Sequence, residues 1–506
     1  MAVSIMVQGT ASHVGKSLIT AGLCRWLANR GYRVAPFKAQ NMSLNSTATP
    51  DGREIAWSQA LQAEAARIAP TADMNPILLK PSGPSRSQIV LQGRVLEDTD
   101  ARSYFMDRKE RLWASVEDSY RRLAAAHDVI VIEGAGSPVE MNLKAHDIVN
   151  MRVADMADAA VLLVADIERG GVFASLVGTW TLLEPHEQER VAGLVINKFR
   201  GERTLFQEGV QWLEARIGVP VWGVVPYLDD LDLEEEDSLG LLSPRYRVRP
   251  EPQGSVPRIV GVRLPYLANF MDLDPLFRDP RVAVRWATRV EEVRDADAII
   301  LPGTKNTMAD LDWLERTGFA AAIRAARAGG AFVLGICGGY QMLGSRVEDP
   351  HHVEGPQDVI PGIALLSGTT VLTPSKLTQP FEGSLMPPFP RGSIRGYEIH
   401  MGVTTLEGVH APLLRREERS EGLIADGGRI IGTYVHGILD NETFTEAWLT
   451  LVARGRKKTW AAKPASGDIG EHNAPGRRDR AYERLALELD GALRLSRLED
   501  LLKSRR

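Results

Sequence analysis

Two short stretches of this chain combine residue types and spacings that support chemistry. The first, "GTASHVGKS", runs from Gly9 to Ser17 and ends in a lysine and a hydroxyl. Glycines and small residues let successive backbone N–H groups converge on an anion, and a helix-patterned segment closed by Gly31 follows at once. The pattern is that of a phosphate cradle: Gly9, Thr10 and Gly15 shape it, Lys16 neutralises the outer phosphates of a nucleotide, and Ser17 reaches a magnesium ion. Five residues separate Gly9 from the Gly15–Lys16 pair, one more than in the standard P-loop.

The second stretch, "LGICGGYQML" (334–343), holds one of only two cysteines. An apolar run ends at Cys337 and the chain turns through Gly338 and Gly339 into a helix-like segment. Such a strand–turn–helix presents a nucleophile: the helix N-terminus lowers the thiol pKa, and N–H groups of the turn, that of Gly338 among them, stabilise an oxyanion. A lone cysteine is more often a core residue, so the thiol needs a base within reach before it counts as a nucleophile. Of ten histidines, His436 in "GTYVHGILD" follows another apolar run and is the expected base, with His400 in "GYEIHMG" as its rival.

These loops need strands to carry them. Residues 3–9, 33–39, 128–136, 159–166 and 191–199 are near-continuous apolar runs ending in Gly, Asp, Lys or Asn. Buried parallel strands have this pattern, with functional groups at their C-terminal ends. From Asp229 the pattern breaks into an acidic stretch and then a Pro-, Arg- and Gly-rich one, as a linker would. A second alternation follows through "RIVGVRL", "ADAIILPG", "AFVLGIC" and "IIGTYVHG". The expected organisation is α/β throughout: a P-loop-type, mostly parallel sheet domain over 1–240, a linker over 241–256, a second α/β domain over 257–452, and a flexible arm from 453 ending in a charged helix from about Ala481 to Ser504.

The bulk numbers agree with that plan. A chain of 506 residues exceeds one ordinary core, and 44% hydrophobic with 25% charged residues is a globular composition. A net charge of −5 with interspersed signs gives no electrostatic case for nucleic acid or an anionic membrane. Two cysteines exclude a disulfide framework, and no stretch approaches the roughly 18 uncharged apolar residues of a membrane helix. Without a secretion-leader pattern, the expectation is a cytoplasmic protein. The segment 37–66 is dense in Gln, Asn and Ser, the composition of a solvated surface loop; at the mouth of a nucleotide site, Gln40, Asn41 and Asn45 suit recognition of amide and carboxylate groups.

The five-residue insert of "GTASHVGKS" resembles the loop of dethiobiotin synthetase and its relatives, in which ATP phosphorylates a substrate carboxylate. The resemblance implies Lys38 as a substrate- and phosphate-contacting lysine, Glu133 as a second magnesium ligand beside Ser17, and Asn197 with Lys198 as adenine contacts; Asp166 faces the site from another strand end. The aspartate which that superfamily carries after its second strand has no match, and Gln59 lies near its place. "GICGGYQML" and "ILPGTKNT" (300–307) resemble the class I glutamine amidotransferases, flavodoxin-like in fold. That likeness implies a γ-glutamyl thioester on Cys337, His436 as general base, and Gly303 with Gly338 as oxyanion donors. Those enzymes carry a Glu two residues after the His, where Ile438 stands here, so Asp440, Glu398 and a bare Cys–His dyad remain open for the third position.

Taken together, "PFKAQNMSLNS", "EGAGSPVEMNL", "DIVNM", "VADIERGGVFASLVGT", "GYEIHMG" and "GTYVHGILD" resemble the cobyric acid synthase family over residues 1–450. This implies ATP, Mg2+ and glutamine as reactants or cofactors, no tightly bound prosthetic group, and amidation of the b, d, e and g carboxylates of adenosylcobyrinic acid a,c-diamide. The sister enzymes that make the a,c-diamide share the plan but not "KAQNMSLNS". A ParA-like ATPase switch, a rival of a different class, has no use for a cysteine elbow.

Overall fold

The structure is a computed structural model, described here over residues 2–83, 86–100, 109–229, 231–233, 246, 255–461 and 474–504. The apolar runs of the first half form a six-stranded, all-parallel sheet in the order Val221–Pro226, Val191–Phe199, Ala160–Asp166, Val3–Gly9, Val129–Glu133, Val34–Phe37. The strand Val3–Gly9 lies at the centre and is buried along its whole length, as a near-continuous apolar run requires. Val7 stands opposite Glu133 and Gly9 opposite Val164, so the glycine loop and the Glu133 carboxylate share the C-terminal edge of the sheet. Strand order reverses around this central strand, where ligands of open α/β sheets collect.

The polar segment after the second strand is not a solvated loop. It folds into short strands Gln40–Met42, Ser46–Ala48 and Glu54–Ala56 and a helix Trp57–Ala65. Gln40–Met42 joins Ile77–Gly83, Arg86–Leu91 and Arg94–Asp100 in a four-stranded accessory sheet. Its polar side chains are buried because they satisfy one another: Asn41 Nδ2 donates to Gln59 Oε1 at 3.1 Å and Ser46 Oγ to Glu54 Oε1 at 2.8 Å.

The second half repeats the layered plan. Ala283–Ala287, Arg258–Val262, Ala298–Leu301, Phe332–Ile336 and Ile430–Thr433 pair in parallel in that order, and Leu423–Ala425 closes the edge antiparallel. A long hairpin, Gly368–Leu385 with Ser393–Leu406, belongs to a further sheet, and Val435–His436 pairs with its Tyr397–Glu398 edge. Most of the expected linker lies outside the described residues. Tyr246 within it is buried, its ring packed on Phe270 and Phe277 at centroid distances of 5.8 and 5.0 Å.

The chain end departs furthest from expectation. Residues 462–473 of the expected arm lie outside the described residues, and the single charged helix is two, Ala474–Ala492 and Ser496–Ser504. They pack against the first half. Buried Arg25 pairs with Asp479 and Glu483 at 2.7 and 2.9 Å, Trp26 Nε1 donates to Asp490 at 2.7 Å, and Tyr482, Leu485 and Leu489 share a core with Leu23 and Leu27. Gly22 is needed beneath them, since a Cβ there would meet Leu489 Cδ1 at 2.3 Å. The abundant charges of this segment obscured an apolar stripe whose partner is the helix behind the glycine loop. Among the described residues no helix is long and apolar enough to cross a membrane.

Removing residues 474–506 should therefore unfold the first half. Tyr482, Leu485, Leu489, Leu493, Leu498 and Leu502 are buried and each contributes about 2 kcal/mol, together comparable with the roughly 5–15 kcal/mol that holds a domain folded. The expected outcome is loss of cooperative thermal unfolding for the first half; an unchanged melting profile would show the packing to be dispensable.

Candidate active sites

The glycine loop is shaped from inside. A Cβ on Gly9 would come within 2.6 Å of Val14 Cγ2, and Gly15, at φ +99°, would place one 2.1 Å from Asn197 Nδ2. The helix Lys16–Asn29 begins directly at the cradle, aiming its free N–H groups at the loop. Lys16 Nζ lies across the loop mouth, donating to Ala11 O at 2.9 Å and Gly136 O at 3.0 Å. Asn150 builds the facing turn, with Nδ2 donating to Ala135 O at 2.8 Å and Oδ1 accepting from Ala135 N at 3.1 Å.

Glu133 is the hub of this site. It is 1% exposed, and its carboxylate accepts from Ser17 Oγ at 2.9 Å, Lys38 Nζ at 2.8 Å and Gln62 Nε2 at 2.5 Å. Burial pushes its pKa up, but the Lys38 charge and the three hydrogen bonds outweigh that and hold it below the ordinary carboxylate value. Glu133 is therefore an anion at neutral pH. Beside it, the buried Gln62 Oε1 finds no donor among the described residues. A hydroxyl, a carboxylate and an orphaned amide oxygen, all hard ligands or water acceptors, fit a magnesium ion completed by water and phosphate oxygens.

The other residues singled out from the sequence have diverse places. Thr10 N donates to Val164 O at 2.9 Å and holds the loop to the sheet. Asn197 is buried beneath the cradle, with Nδ2 donating to Val14 O at 2.8 Å, while Lys198 Nζ donates to His13 O at 2.7 Å and Asp166 Oδ2 at 2.8 Å. Both side chains thus support the loop from below. Gln40 is half-buried on the strand face opposite Asn41, whose amide turns inward to Gln59 and Ser58. Asn45 faces the second half: Asn269 N donates to Asn45 Oδ1 at 2.7 Å, and Ser46 N donates to Asn269 Oδ1 at 2.9 Å. Gln59 does not replace the missing aspartate, for Gln62, one turn on, is the residue that meets Glu133. Cys24 is a core thiol, its pKa pushed far up by burial and then by the Glu133 charge.

In the second half buried Cys337 sits at φ +53°, the strained backbone of a nucleophile elbow, between a buried strand and a helix of one turn, Gly338–Gln341. The turn packs so tightly on the Leu301–Thr304 loop that a Cβ on Gly339 would lie 1.9 Å from Leu301 O, and one on Gly338 2.5 Å from Thr304 Cγ2. Gly303 on that loop adjoins His436, whose Cε1 would be 2.8 Å from a Cβ there. Cys337 Sγ donates to Ile399 O at 3.4 Å and its charge acts on His436, whose Nδ1 is 2.7 Å from Asp272 Oδ2, both of these last two side chains being 2% exposed. Gly437 N donates to the other Asp272 oxygen at 2.9 Å, and the Tyr397 ring stacks on the imidazole at 5.2 Å.

Asp272 is therefore the third member, in place of Asp440, Glu398 or a bare dyad. Glu398 instead accepts from Gln379 Nε2 at 2.5 Å, and Asp440 Oδ1 lies 3.9 Å from Arg477 Nη2. No local pattern marks Asp272, which reaches His436 across 164 residues of chain. Burial disfavours the imidazolium, yet Asp272 and Cys337 raise the His436 pKa to about 10. His400 is held the opposite way: burial lowers it to about 4, the Gly402 carbonyl only partly opposing, and it stacks on Tyr434 at 3.7 Å. The cation that stands beside Cys337 is thus the His436 imidazolium, and the helix behind the thiol is only one turn long.

A nucleotide cradle on one sheet and a cysteine–histidine–aspartate site on a second define an ATP-using, glutamine-hydrolysing amide synthase. Residues 5–240 match the CobQ/CobB/MinD/ParA nucleotide binding domain family, and residues 258–444 the CobB/CobQ-like glutamine amidotransferase domain family. A protein of Sorangium cellulosum named cobyric acid synthase is 47% identical over 97% of each chain. Another so named from Geobacillus thermodenitrificans is 44% identical, over 99% of this chain and 98% of its own, and one from Chloroflexus aurantiacus is 49% identical over 88% and 91%. The chain belongs to the cobyric acid synthase family.

Replacing Asp272 by Asn removes the charge that raises His436. Its pKa should fall from about 10 toward the ordinary imidazole value, so the imidazolium is lost at lower pH. The alkaline limb of glutaminase kcat/KM should then move down by one unit or more, roughly, with a drop in the plateau. His436→Asn should cripple glutamine hydrolysis far more than His400→Asn. An alkaline limb unmoved in Asp272→Asn would remove the aspartate from the site.

Proposed function

We propose that this protein amidates the b, d, e and g carboxylates of adenosylcobyrinic acid a,c-diamide in cobalamin biosynthesis, using one glutamine and one ATP for each amide. The observation that carries the reading is the presence of both constellations on one chain, with Lys80 and Gln88 of the first half lining the cavity beside Cys337. A carboxylate is a poor electrophile and ammonium a poor nucleophile at neutral pH. Phosphorylation answers the first problem, and release of ammonia into a sheltered site answers the second.

In the second half the Cys337 thiolate attacks the glutamine side-chain amide. The oxyanion is taken by the N–H groups at Gly303 and Gly338, and His436, oriented by Asp272, protonates the departing ammonia. Neutral His436 then takes a proton from water, whose hydroxide cleaves the γ-glutamyl thioester; the thiolate leaves, the imidazolium is restored, and the new glutamate acid group releases its proton to solvent. In the first half Gly9–Ser17 binds the ATP phosphates, with Lys16 on the outer ones. Ser17 and Glu133 would hold Mg2+, which when bound would neutralise phosphate oxygens. Lys38, anchored by Glu133, steers the substrate carboxylate toward the γ-phosphate, and an acyl phosphate forms with release of ADP. Ammonia displaces phosphate from that acyl group and leaves the amide. Gln40 and the polar strands around it contact the periphery of the corrin substrate. ATP and glutamine are cytoplasmic reactants, and we place the reaction there.

Mass spectrometry of adenosylcobyrinic acid a,c-diamide incubated with protein, glutamine, ATP and Mg2+ should show four successive exchanges of OH for NH2. Cys337→Ala should abolish the glutamine-driven ladder and keep the one driven by added ammonia. Lys16→Ala should slow both roughly a hundredfold or more. Glutamine hydrolysis with no change in corrinoid mass would mean a different carboxylate is the acceptor.

A further inference from the structure

The cavity beside Cys337 spans the seam between the two halves. Lys80 and Gln88 enter it from the accessory sheet, Lys376 from the long hairpin, and Lys305 and Glu354 from near the start of the helix Thr307–Thr317. Against the two seam lysines lies Glu54, whose side chain is 0% exposed. Its Oε1 is 2.7 Å from Lys80 Nζ and its Oε2 2.5 Å from Lys376 Nζ, the lysine side chains being 5% and 10% exposed. Ser46 Oγ and Gln88 Oε1 complete the cluster as neutral acceptors, at 2.8 Å from Lys80 and 3.4 Å from Lys376.

One carboxylate between two nearly buried ammoniums leaves an excess positive charge within the cluster, and the Lys305 charge also acts on Lys376. Buried charge without a counter-ion is unfavourable, and here the excess faces a cavity that an anion can enter. The strain is visible at Lys376, whose pKa burial lowers to about 8, with Glu54 opposing and the other two lysines adding to the drop. Elsewhere in the same cavity Glu354 Oε2 accepts from Met308 N at 3.1 Å, and burial raises its pKa to about 7 against the pull of Lys305. The remaining titratable groups lining the cavity are His400, His436 and Cys337.

Cationic and acidic groups at separate places around a nucleophile match the head of an α-amino acid whose side-chain amide lies on the thiol. We propose that Lys376 and Lys80 bind the α-carboxylate of glutamine and Glu354 its α-ammonium, so that the synthase half supplies part of the glutamine site. This rests on the glutamine hydrolysis assigned above. Glutamine then binds fully only when the seam is assembled, which ties ammonia release to a formed path toward the acyl phosphate.

The test compares L-glutamine with 4-aminobutanamide, which is glutamine lacking its α-carboxylate, by ammonia release from the full-length protein. Lys376→Met and Lys80→Met each leave Glu54 with one lysine, a neutral pair that keeps the seam folded. Wild-type protein should prefer glutamine by roughly a hundredfold in kcat/KM. Each variant should raise the glutamine KM roughly tenfold and narrow that preference by the same factor, and Lys376→Arg should restore most of it. Amidation driven by added ammonium chloride serves as the folding control. Unchanged KM and preference in both Met variants would overturn the proposal. So would unchanged glutamine turnover with glutamate in excess over amide, which would make the cluster an ammonia gate. Should the variants lose ammonia-driven amidation as well, equal kcat/KM of wild-type protein for the two amides overturns it, and a hundredfold preference sustains it. Failure of wild-type protein to amidate the corrinoid, with the clamp behaviour intact, would reject the acceptor and not the clamp.

Discussion

Five consecutive residues, Ala268 to Asp272, tie the two catalytic halves into one machine. Ala268 N donates to Gly303 O at 2.9 Å and fixes the loop against which the cysteine turn packs. Asn269, held at φ +52°, exchanges hydrogen bonds with Asn45 and Ser46 of the first half. Asp272 orients His436. A shift of this segment displaces the base, the loop at Gly303 and the Asn45–Ser46 contact of the seam together, because all three are bonded to the same few residues. Asparagine suits the middle position: it tolerates a left-handed backbone and brings both a donor and an acceptor to the seam.

Buried charge is handled in the same manner throughout. Glu133 meets Lys38, Glu54 meets Lys80 and Lys376, Asp272 meets His436, and Arg25 meets Asp479 and Glu483. Such pairs add little net stability over apolar replacements, but removing one partner typically costs about 3–5 kcal/mol because the other charge is stranded. They therefore act as registration devices. Glu133 is fixed beside Ser17 at the glycine loop, His436 is fixed beside Cys337, and the helix behind the glycine loop is fixed to the terminal helices. The two lysines on Glu54 stand apart, since their charge is only half compensated within the protein.

Much of the first half was legible because its strands are buried on both faces. A parallel sheet covered by helices needs apolar residues at every position, so 3–9, 128–136, 159–166 and 191–199 stand out without any periodicity. The P-loop and the cysteine turn were legible for a different reason: glycine at Gly9, Gly15 and Gly339 is demanded by contacts under 3 Å that any side chain would violate. The polar segment after Lys38 was misleading, because hydrogen-bonded polar side chains are buried at Asn41, Ser46 and Glu54 while their composition matches that of a surface loop. The terminal helices misled in the opposite sense, their many charges outweighing the spaced Tyr482, Leu485 and Leu489 that form the packing face.

Local chemistry, then, is written along the chain: backbone conformations that only glycine allows, a nucleophile at a strand end, a lysine and a hydroxyl at a helix start. These depend on neighbours a few residues away, and their signatures survive in one dimension. Partnerships between distant carboxylates and cations are not written there. Asp272 is one aspartate among many until the sheet brings it 2.7 Å from His436, and Glu54, Lys80 and Lys376 come from three separate strands, the last in the other half of the chain. Their pairing is decided only when folding removes water from all of them at once, because burial is what makes one charge require another.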